Sequence, residues 1–214
     1  MKLHSPAFVD RAEAGRRLGH LLAPLAAERP VVVGMARGGV PVAAAVADAL
    51  AADLDVVVVR KLGHPEQPEL GLGALGEDGV RVVNEALVAR LAVASGTLDA
   101  RAAAESVTLA ERVRLYRRDR PPLALAGRTA IVVDDGLATG FTARAAVAVV
   151  RARGAVRVVL AVPVASPEAV RSLEAETDAV VCLERSDRFF GISEWYVDFA
   201  QVPDDEVARL LDRR

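Results

Sequence analysis

One stretch of the chain, residues 130–142, constrains the fold more than any other. It begins with four apolar residues, three of them β-branched, which is typical of a buried strand in a parallel sheet. Asp134 and Asp135 follow, then a turn rich in glycine and threonine, then a run from 143 to 153 that predicts a helix. The stretch therefore predicts a strand–turn–helix unit with polar chemistry at the end of the strand.

The turn of this unit predicts an anion site. Amides at a turn and at a helix N-terminus are free to donate, and the helix dipole favours negative charge there. Gly136 and Gly140 let the backbone approach an anion, and Thr139 and Thr142 add hydroxyl donors. The acidic pair upstream cannot bind phosphate, but it suits neighbouring hydroxyls, such as a ribose diol, or a metal ion. A sugar phosphate has both a phosphate for the turn and hydroxyls for the acidic pair. The alternative is an ordinary turn capped by aspartate.

Composition and charge exclude several classes of protein. The chain has 214 residues, 52% of them hydrophobic, which suffices for one domain with a sizeable core. A net charge of −2 leaves no basic face for nucleic acid. No apolar run approaches a membrane span, and the N-terminus lacks a signal-peptide pattern, so we expect a cytoplasmic protein. Cys182 is expected to be a core thiol, and the three histidines have no metal-site spacing.

Strand patterns alternate with helix patterns along the chain, which predicts an α/β fold with a doubly wound, mainly parallel sheet. We expect a single domain over 1–214, with a helical insertion at about 84–118 and a separate segment at about 185–202. Residues 61–79 contain five glycines and two prolines, which predicts a long mobile loop. The apolar face of 84–118 suits either core packing or a homodimer surface.

Ligands of such sheets bind beyond the carboxyl ends of the strands, so other strand ends are candidate sites. After the first strand pattern, Arg37 precedes Gly38 and Gly39. These residues predict a second turn, with exposed backbone amides and a guanidinium suited to phosphate. Arg60 and Lys61 end the next strand pattern, and Lys61 is one of only two lysines in the chain.

The segment 185–199 holds five of the eight aromatic residues of the chain. A planar ligand needs a flat apolar face, which such a cluster offers. The alternative is that the aromatics pack a terminal flap onto the core. The five residues are Phe189, Phe190, Trp195, Tyr196 and Phe199.

The stretch 130–142 resembles the 5-phosphoribosyl-1-pyrophosphate (PRPP) binding motif of type I phosphoribosyltransferases: four apolar residues, two acidic ones, then Gly-x-x-Thr-Gly-x-Thr. The resemblance implies that family's fold, with a flexible loop or flap and a small aromatic hood. It also implies that the 5′-phosphate and ribose of PRPP bind Asp134, Asp135, Gly136, Leu137, Ala138, Thr139, Gly140, Phe141 and Thr142.

The same resemblance implies roles for the other strand ends. Mg²⁺ would be held by Asp134 and Asp135, directly or through water, and these two would act in catalysis with Lys61. A non-proline cis peptide is expected near Ala36–Arg37, and the loop would close over PRPP to exclude water. His64, Glu66 and Glu69 are candidate proton-transfer groups on that loop, with solvated side chains as the alternative. Pyrophosphate would bind Arg37, Gly38, Gly39, Arg60 and Lys61, and the acceptor hood would be Phe189, Phe190, Trp195 and Tyr196.

The expected activity is Mg²⁺-dependent transfer of the phosphoribosyl group to a nitrogenous acceptor, with release of pyrophosphate. Partners would be PRPP and a small molecule, with no nucleic acid and no membrane. Hypoxanthine–guanine enzymes of the family have an acidic residue where Ala138 stands, so that subfamily is disfavoured. The alternative is a non-catalytic PRPP-binding regulator on the same fold. A nucleotide hydrolase or kinase is disfavoured because no Walker lysine is present.

Overall fold

The computed structural model describes residues 6–67, 70–94 and 96–212. Its centre is a five-stranded parallel sheet with the strand order β2-β1-β6-β7-β8. The strands are β1 (Val31–Met35), β2 (Asp53–Val57), β6 (Thr129–Val133), β7 (Arg157–Ala165) and β8 (Ala179–Arg185). The predicted α/β fold with a parallel sheet is therefore confirmed.

Helices cover both faces of this sheet because successive strand residues point to opposite sides. On β6, Ile131 and Val133 belong to one core cluster, and Ala130 and Val132 belong to another. The first cluster packs under α1 (Arg11–Leu22), α2 (Gly39–Leu50), α4 (Thr97–Arg117) and α7 (Asp204–Leu211). The second packs under α5 (Phe141–Ala152) and α6 (Pro167–Glu174).

A second, three-stranded antiparallel sheet forms a flap: β3 (Val59–Gly63), β4 (Gly71–Gly76) and β5 (Arg81–Val83). The prediction of an irregular loop over 61–79 was wrong for β3 and β4. The strand pattern that ends at Arg60 and Lys61 also divides between the two sheets, with Val58 as the one residue between β2 and β3. The apolar residues of the flap give the reason: Leu62, Leu72 and Ala74 are fully buried, so the segment packs as a sheet despite its glycines.

The helical insertion consists of α3 (Glu85–Arg90) and α4, with a break between them. Leu109 and Tyr116 of α4 are buried in the main core, so the apolar face of the insertion packs on its own domain. The sequence patterns did not predict α7, whose Val207 and Leu211 are buried in the same core. No helix in the described part of the chain has the length and apolar composition that a membrane span needs.

A buried ion network fixes the flap to the main sheet. Arg117 at the end of α4 donates to Asp55 at 3.2 Å and to Glu77 at 2.6 Å, and all three side chains are almost fully buried. Glu77, in the turn between β4 and β5, also accepts the amide of Val58 at 2.7 Å and pairs with Arg153 at 2.8 Å. The start and the far turn of the flap are thereby held to the core.

Candidate active site

The two glycine-containing turns come together because β1 and β6 are neighbouring parallel strands. After β1, the peptide bond between Ala36 and Arg37 is cis, as the sequence resemblance predicted. A Cβ atom on Gly38 would lie 2.0 Å from Oδ2 of Asp135, and one on Gly39 would lie 2.5 Å from the carbonyl oxygen of Val133. The turn after β1 therefore requires glycines because the end of β6 packs directly against it.

The acidic pair lies at this junction. Oδ1 of Asp134 accepts the amide of Asp135 at 2.9 Å, and Asp135 is only 8% exposed. Burial raises the pKa of both carboxyls, and the charge of Asp135 raises the pKa of Asp134 further. Arg11 of α1 opposes this, because its Nε donates to Oδ2 of Asp135 at 2.9 Å and lowers the pKa of both carboxyls. A buried and a half-buried carboxylate at one point favour a bound cation or hydroxyl donors.

Backbone hydrogen bonds join the turn after the acidic pair to the end of β7 and the residue that follows it. The amide of Leu137 donates to the carbonyl of Val164 at 2.9 Å, and the Leu137 carbonyl accepts the amide of Ser166 at 3.1 Å. Thr139 is exposed, and Gly140, with φ at +81°, precedes the first residue of α5. The first amides of an α-helix have no acceptor within the helix. The first amides of α5 are therefore available to bind an anion beside this turn.

Arg37 is linked to the C-terminal helix. Its guanidinium lies 3.8 Å from Oδ1 of Asp204 at the start of α7. The same oxygen accepts the hydroxyl of Tyr116 at 2.5 Å, and Tyr116 is fully buried. Arg37 of the turn is thus linked through Asp204 to the buried Tyr116, a connection that no sequence motif indicated.

The two basic residues of the flap are separated. Arg60 on β3 pairs with Glu105 of α4 at 2.7 Å, so its guanidinium is engaged on that side. Adjacent strand residues point to opposite faces, so Lys61 lies on the other face, beside Gly71. The structure therefore does not bring Arg60 and Lys61 together as the expected basic pair.

The aromatic residues of 185–199 divide between two environments. Trp195 and Tyr196 are buried with Phe8, and the hydroxyl of Tyr196 donates to the carbonyl of Asp135 at 2.7 Å. Both side chains pack the terminal segment onto the core and do not form an open ligand face. Phe189 and Phe190 instead line a cavity of about 440 Å³, together with Ala138, Thr139, Ser166, Pro167, Glu168, Arg171 and Asp187.

The other residues singled out in the sequence have few contacts that point to a function. His64 Nδ1 accepts the amide of Glu66 at 3.2 Å, in an exposed hydrogen bond, and Glu69 lies outside the described residues. Cys182 is half-buried against the core cluster under α5 and α6 and is not a fully buried core thiol; loss of solvent there raises the pKa of its thiol to about 11. Over the ranges that the structure describes, three or more His, Cys, Asp or Glu residues nowhere cluster as a metal site.

Sequence reasoning missed Arg11. It is the first residue of α1, 124 positions from the carboxylate it binds. Only the three-dimensional packing brings it to the site, and no local pattern around it could have indicated the contact.

Comparisons with known proteins agree with this geometry. The family model for the phosphoribosyl transferase domain matches residues 11–204. The Mycobacterium tuberculosis (strain ATCC 25618 / H37Rv) protein named "Putative phosphoribosyl transferase Rv0571c" is 48% identical over 206 residues, covering 96% of this chain and 46% of that protein. The chain thus spans about half the length of this relative.

Solved structures extend the comparison. The crystal structure of TT1426 from Thermus thermophilus is 46% identical, with a TM-score of 0.81 over 95% of this chain and 97% of that chain. A hypothetical protein from Neisseria gonorrhoeae, solved with bound ppGpp, is 12% identical and shares the fold, with a TM-score of 0.51 over 100% of this chain and 98% of that chain. By the family model and the Thermus thermophilus relative, the chain belongs to the phosphoribosyl transferase domain family.

Proposed function

We propose that this domain transfers the 5-phosphoribosyl group of PRPP to a nitrogenous acceptor and releases pyrophosphate in the presence of Mg²⁺. The observation that carries the proposal is the contact between the two turns. Two glycine-containing turns meet at the acidic pair, with Gly38 packed against Asp135. PRPP has this same order of groups: a phosphate, a sugar diol and a pyrophosphate.

In this proposal each group of PRPP has its own part of the site. The 5′-phosphate accepts from the first amides of α5 and from the hydroxyls of Thr139 and Thr142. The ribose hydroxyls donate to the acidic pair, and pyrophosphate meets Arg37 and the amides of Gly38 and Gly39.

The donor set fits a magnesium ion. Mg²⁺ in proteins is usually bound by one or two carboxylates together with phosphate oxygens of the substrate and water. Asp134 and Asp135 supply two carboxylates whose pKa values are raised by burial, so a nearby cation would stabilise their charged forms. Bound there, Mg²⁺ would supply positive charge against the departing pyrophosphate.

Reaction requires the bond between C1′ and the pyrophosphate oxygen to break, with its electron pair leaving on pyrophosphate. The acceptor nitrogen then forms the new bond to C1′, and its N–H proton passes to water or to the departing pyrophosphate. Arg37, which lies 3.8 Å from Asp204, would stabilise the charge of the leaving group. The chain's contribution is charge placement and exclusion of water, without a protein nucleophile.

The acceptor would occupy the cavity lined by Phe189 and Phe190, beside Thr139 of the phosphate turn. Phe190 is 70% exposed, and a planar acceptor stacked on it would bury apolar surface. Glu168 and Asp187 on the cavity wall can accept hydrogen bonds from ring or amino N–H groups.

The test is to incubate the protein with PRPP and Mg²⁺, screen nitrogenous acceptors, and measure pyrophosphate release. We expect release with at least one acceptor, and loss of release in Asp134→Asn, which keeps the size of the side chain but removes its charge. PRPP binding without release across a broad panel would favour the regulatory alternative. Absence of PRPP binding would overturn both.

A further inference from the structure

Arg11 is built into the acidic end of the site. Its Nε donates to Oδ2 of Asp135 at 2.9 Å, and one terminal nitrogen donates to the carbonyl of Ala200 at 2.8 Å. The guanidinium carbon lies 3.8 Å from the ring centroid of Phe199, a cation–π contact. The Arg11 side chain is only 12% exposed, so three partners hold it in one position.

Asp135 is enclosed on its other sides as well. Its backbone carbonyl accepts the hydroxyl of Tyr196, and its carboxylate presses on the Cα of Gly38 so closely that no side chain fits there. Asp134 differs, because its side chain has no arginine within ion-pair distance among the described residues and the residue as a whole is more accessible to solvent than Asp135. The two carboxylates are therefore not equivalent.

We propose that Arg11 is a positioning residue of the sugar-phosphate site: it neutralises Asp135 and holds it toward the 196–200 segment, leaving Asp134 to meet the ribose hydroxyls. This inference rests on the proposed function and refines it. Two adjacent uncompensated carboxylates would repel a polyanionic ligand such as PRPP. The positive charge of Arg11 compensates the charge of Asp135 and so reduces this repulsion.

A merely structural role for Arg11 makes a different prediction. If Arg11 only tied α1 to the terminal segment through Phe199 and Ala200, removing it would disturb PRPP binding to the same extent whatever residue stood at position 135. If it acts through the charge of Asp135, its removal should matter only while that charge is present. A double-mutant cycle separates the two cases.

The experiment measures PRPP affinity by calorimetry, with Mg²⁺, for Arg11→Met, Asp135→Asn and the double variant. We expect Arg11→Met to weaken PRPP binding about 10-fold or more, the scale of losing one charge-assisted hydrogen bond. In the Asp135→Asn background the same change should cost less than about 3-fold, because no charge is left to compensate. Arg11→Lys should restore part of the affinity, since it keeps the charge but not the fork geometry.

The matched control is Arg16→Met, an exposed arginine on the same helix, which should bind PRPP like the wild type. Thermal unfolding of every variant checks the fold.

If Arg11→Met does not fold, the cycle is run with Arg11→Lys, and a loss confined to the wild-type background is again expected. Equal losses in both backgrounds, or no loss in either, would overturn the inference while leaving the proposed function intact. A wild-type protein that does not bind PRPP would overturn the proposed function and this inference together.

Discussion

The Cα of Gly38 packs against the carboxylate of Asp135 so closely that an added Cβ would lie 2.0 Å from Oδ2 and 2.7 Å from Cγ. Gly38→Ala must therefore shift either the turn or the acidic pair. We expect a loss of about 1–3 kcal/mol in the free energy of unfolding, the usual cost of overpacking, together with weaker PRPP binding. The control is Gly191→Ala, where the nearest atom to a new Cβ is Ser193 Oγ at 4.0 Å. Wild-type affinity in Gly38→Ala would contradict the arrangement.

The phosphate turn is tested by Thr139→Val, which removes a hydroxyl at nearly constant size. If Thr139 donates to the 5′-phosphate, PRPP binding should weaken by about 1–3 kcal/mol, the cost of a hydrogen bond to a charged group. Calorimetry checks this. Thr177→Val is the matched control, because its hydroxyl donates to the carbonyl of Leu173 at 2.9 Å, and its loss should lower stability alone. An unchanged affinity for Thr139→Val would remove this residue from the site.

Lys61 on the flap should act on turnover more than on binding. Its charge would meet pyrophosphate best as negative charge develops there, so Lys61→Ala should lower kcat more than PRPP affinity. Arg81→Ala, which removes a cation from β5 of the same flap, should leave both nearly unchanged. Hydrogen exchange of the peptide 61–67 should slow when PRPP and Mg²⁺ bind. A change in PRPP affinity alone, with no turnover on any acceptor and no slowing of exchange, would argue for the non-catalytic regulator.

The buried ion network should be costly to break. Arg117→Met leaves Asp55 and Glu77 buried without their main cation, so unfolding should become easier by about 3–5 kcal/mol. Urea denaturation measures this. Arg114→Met, three residues earlier on the same helix and 77% exposed, should change stability by less than about 1 kcal/mol. Similar midpoints for the two variants would show that the network does not anchor the flap.

Cys182 should be unreactive near neutral pH. Burial raises the pKa of its thiol to about 11, and the thiolate is the reactive form. Alkylation of the native protein should therefore be slow near pH 8 and accelerate about tenfold per pH unit up to about pH 11, following the thiolate fraction. The urea-unfolded chain should react quickly near pH 8. Rapid native labelling near pH 8 would contradict the raised pKa of the thiol.

The parts of the molecule that local patterns predicted are those whose causes are local. Residues 130–142 carry their strand, carboxylates, glycines and helix start in one continuous stretch, so their order fixes their geometry. The flap was misread because its glycines outnumber its leucines, although burial of Leu62 and Leu72 determines its structure. Arg11 and Asp135, 124 positions apart, could not be paired from patterns, because packing of the whole domain brings them together.

Trp195 is the single tryptophan of the chain; it is buried with Phe8 and Tyr196, and its ring centroid lies 6.5 Å from that of Phe189, which lines the proposed acceptor cavity. All indole fluorescence of the domain therefore originates at one residue, whose ring stacks on a phenylalanine that lines the proposed acceptor cavity. Tryptophan emission can therefore be used to follow ligand titrations at that cavity without attaching a dye.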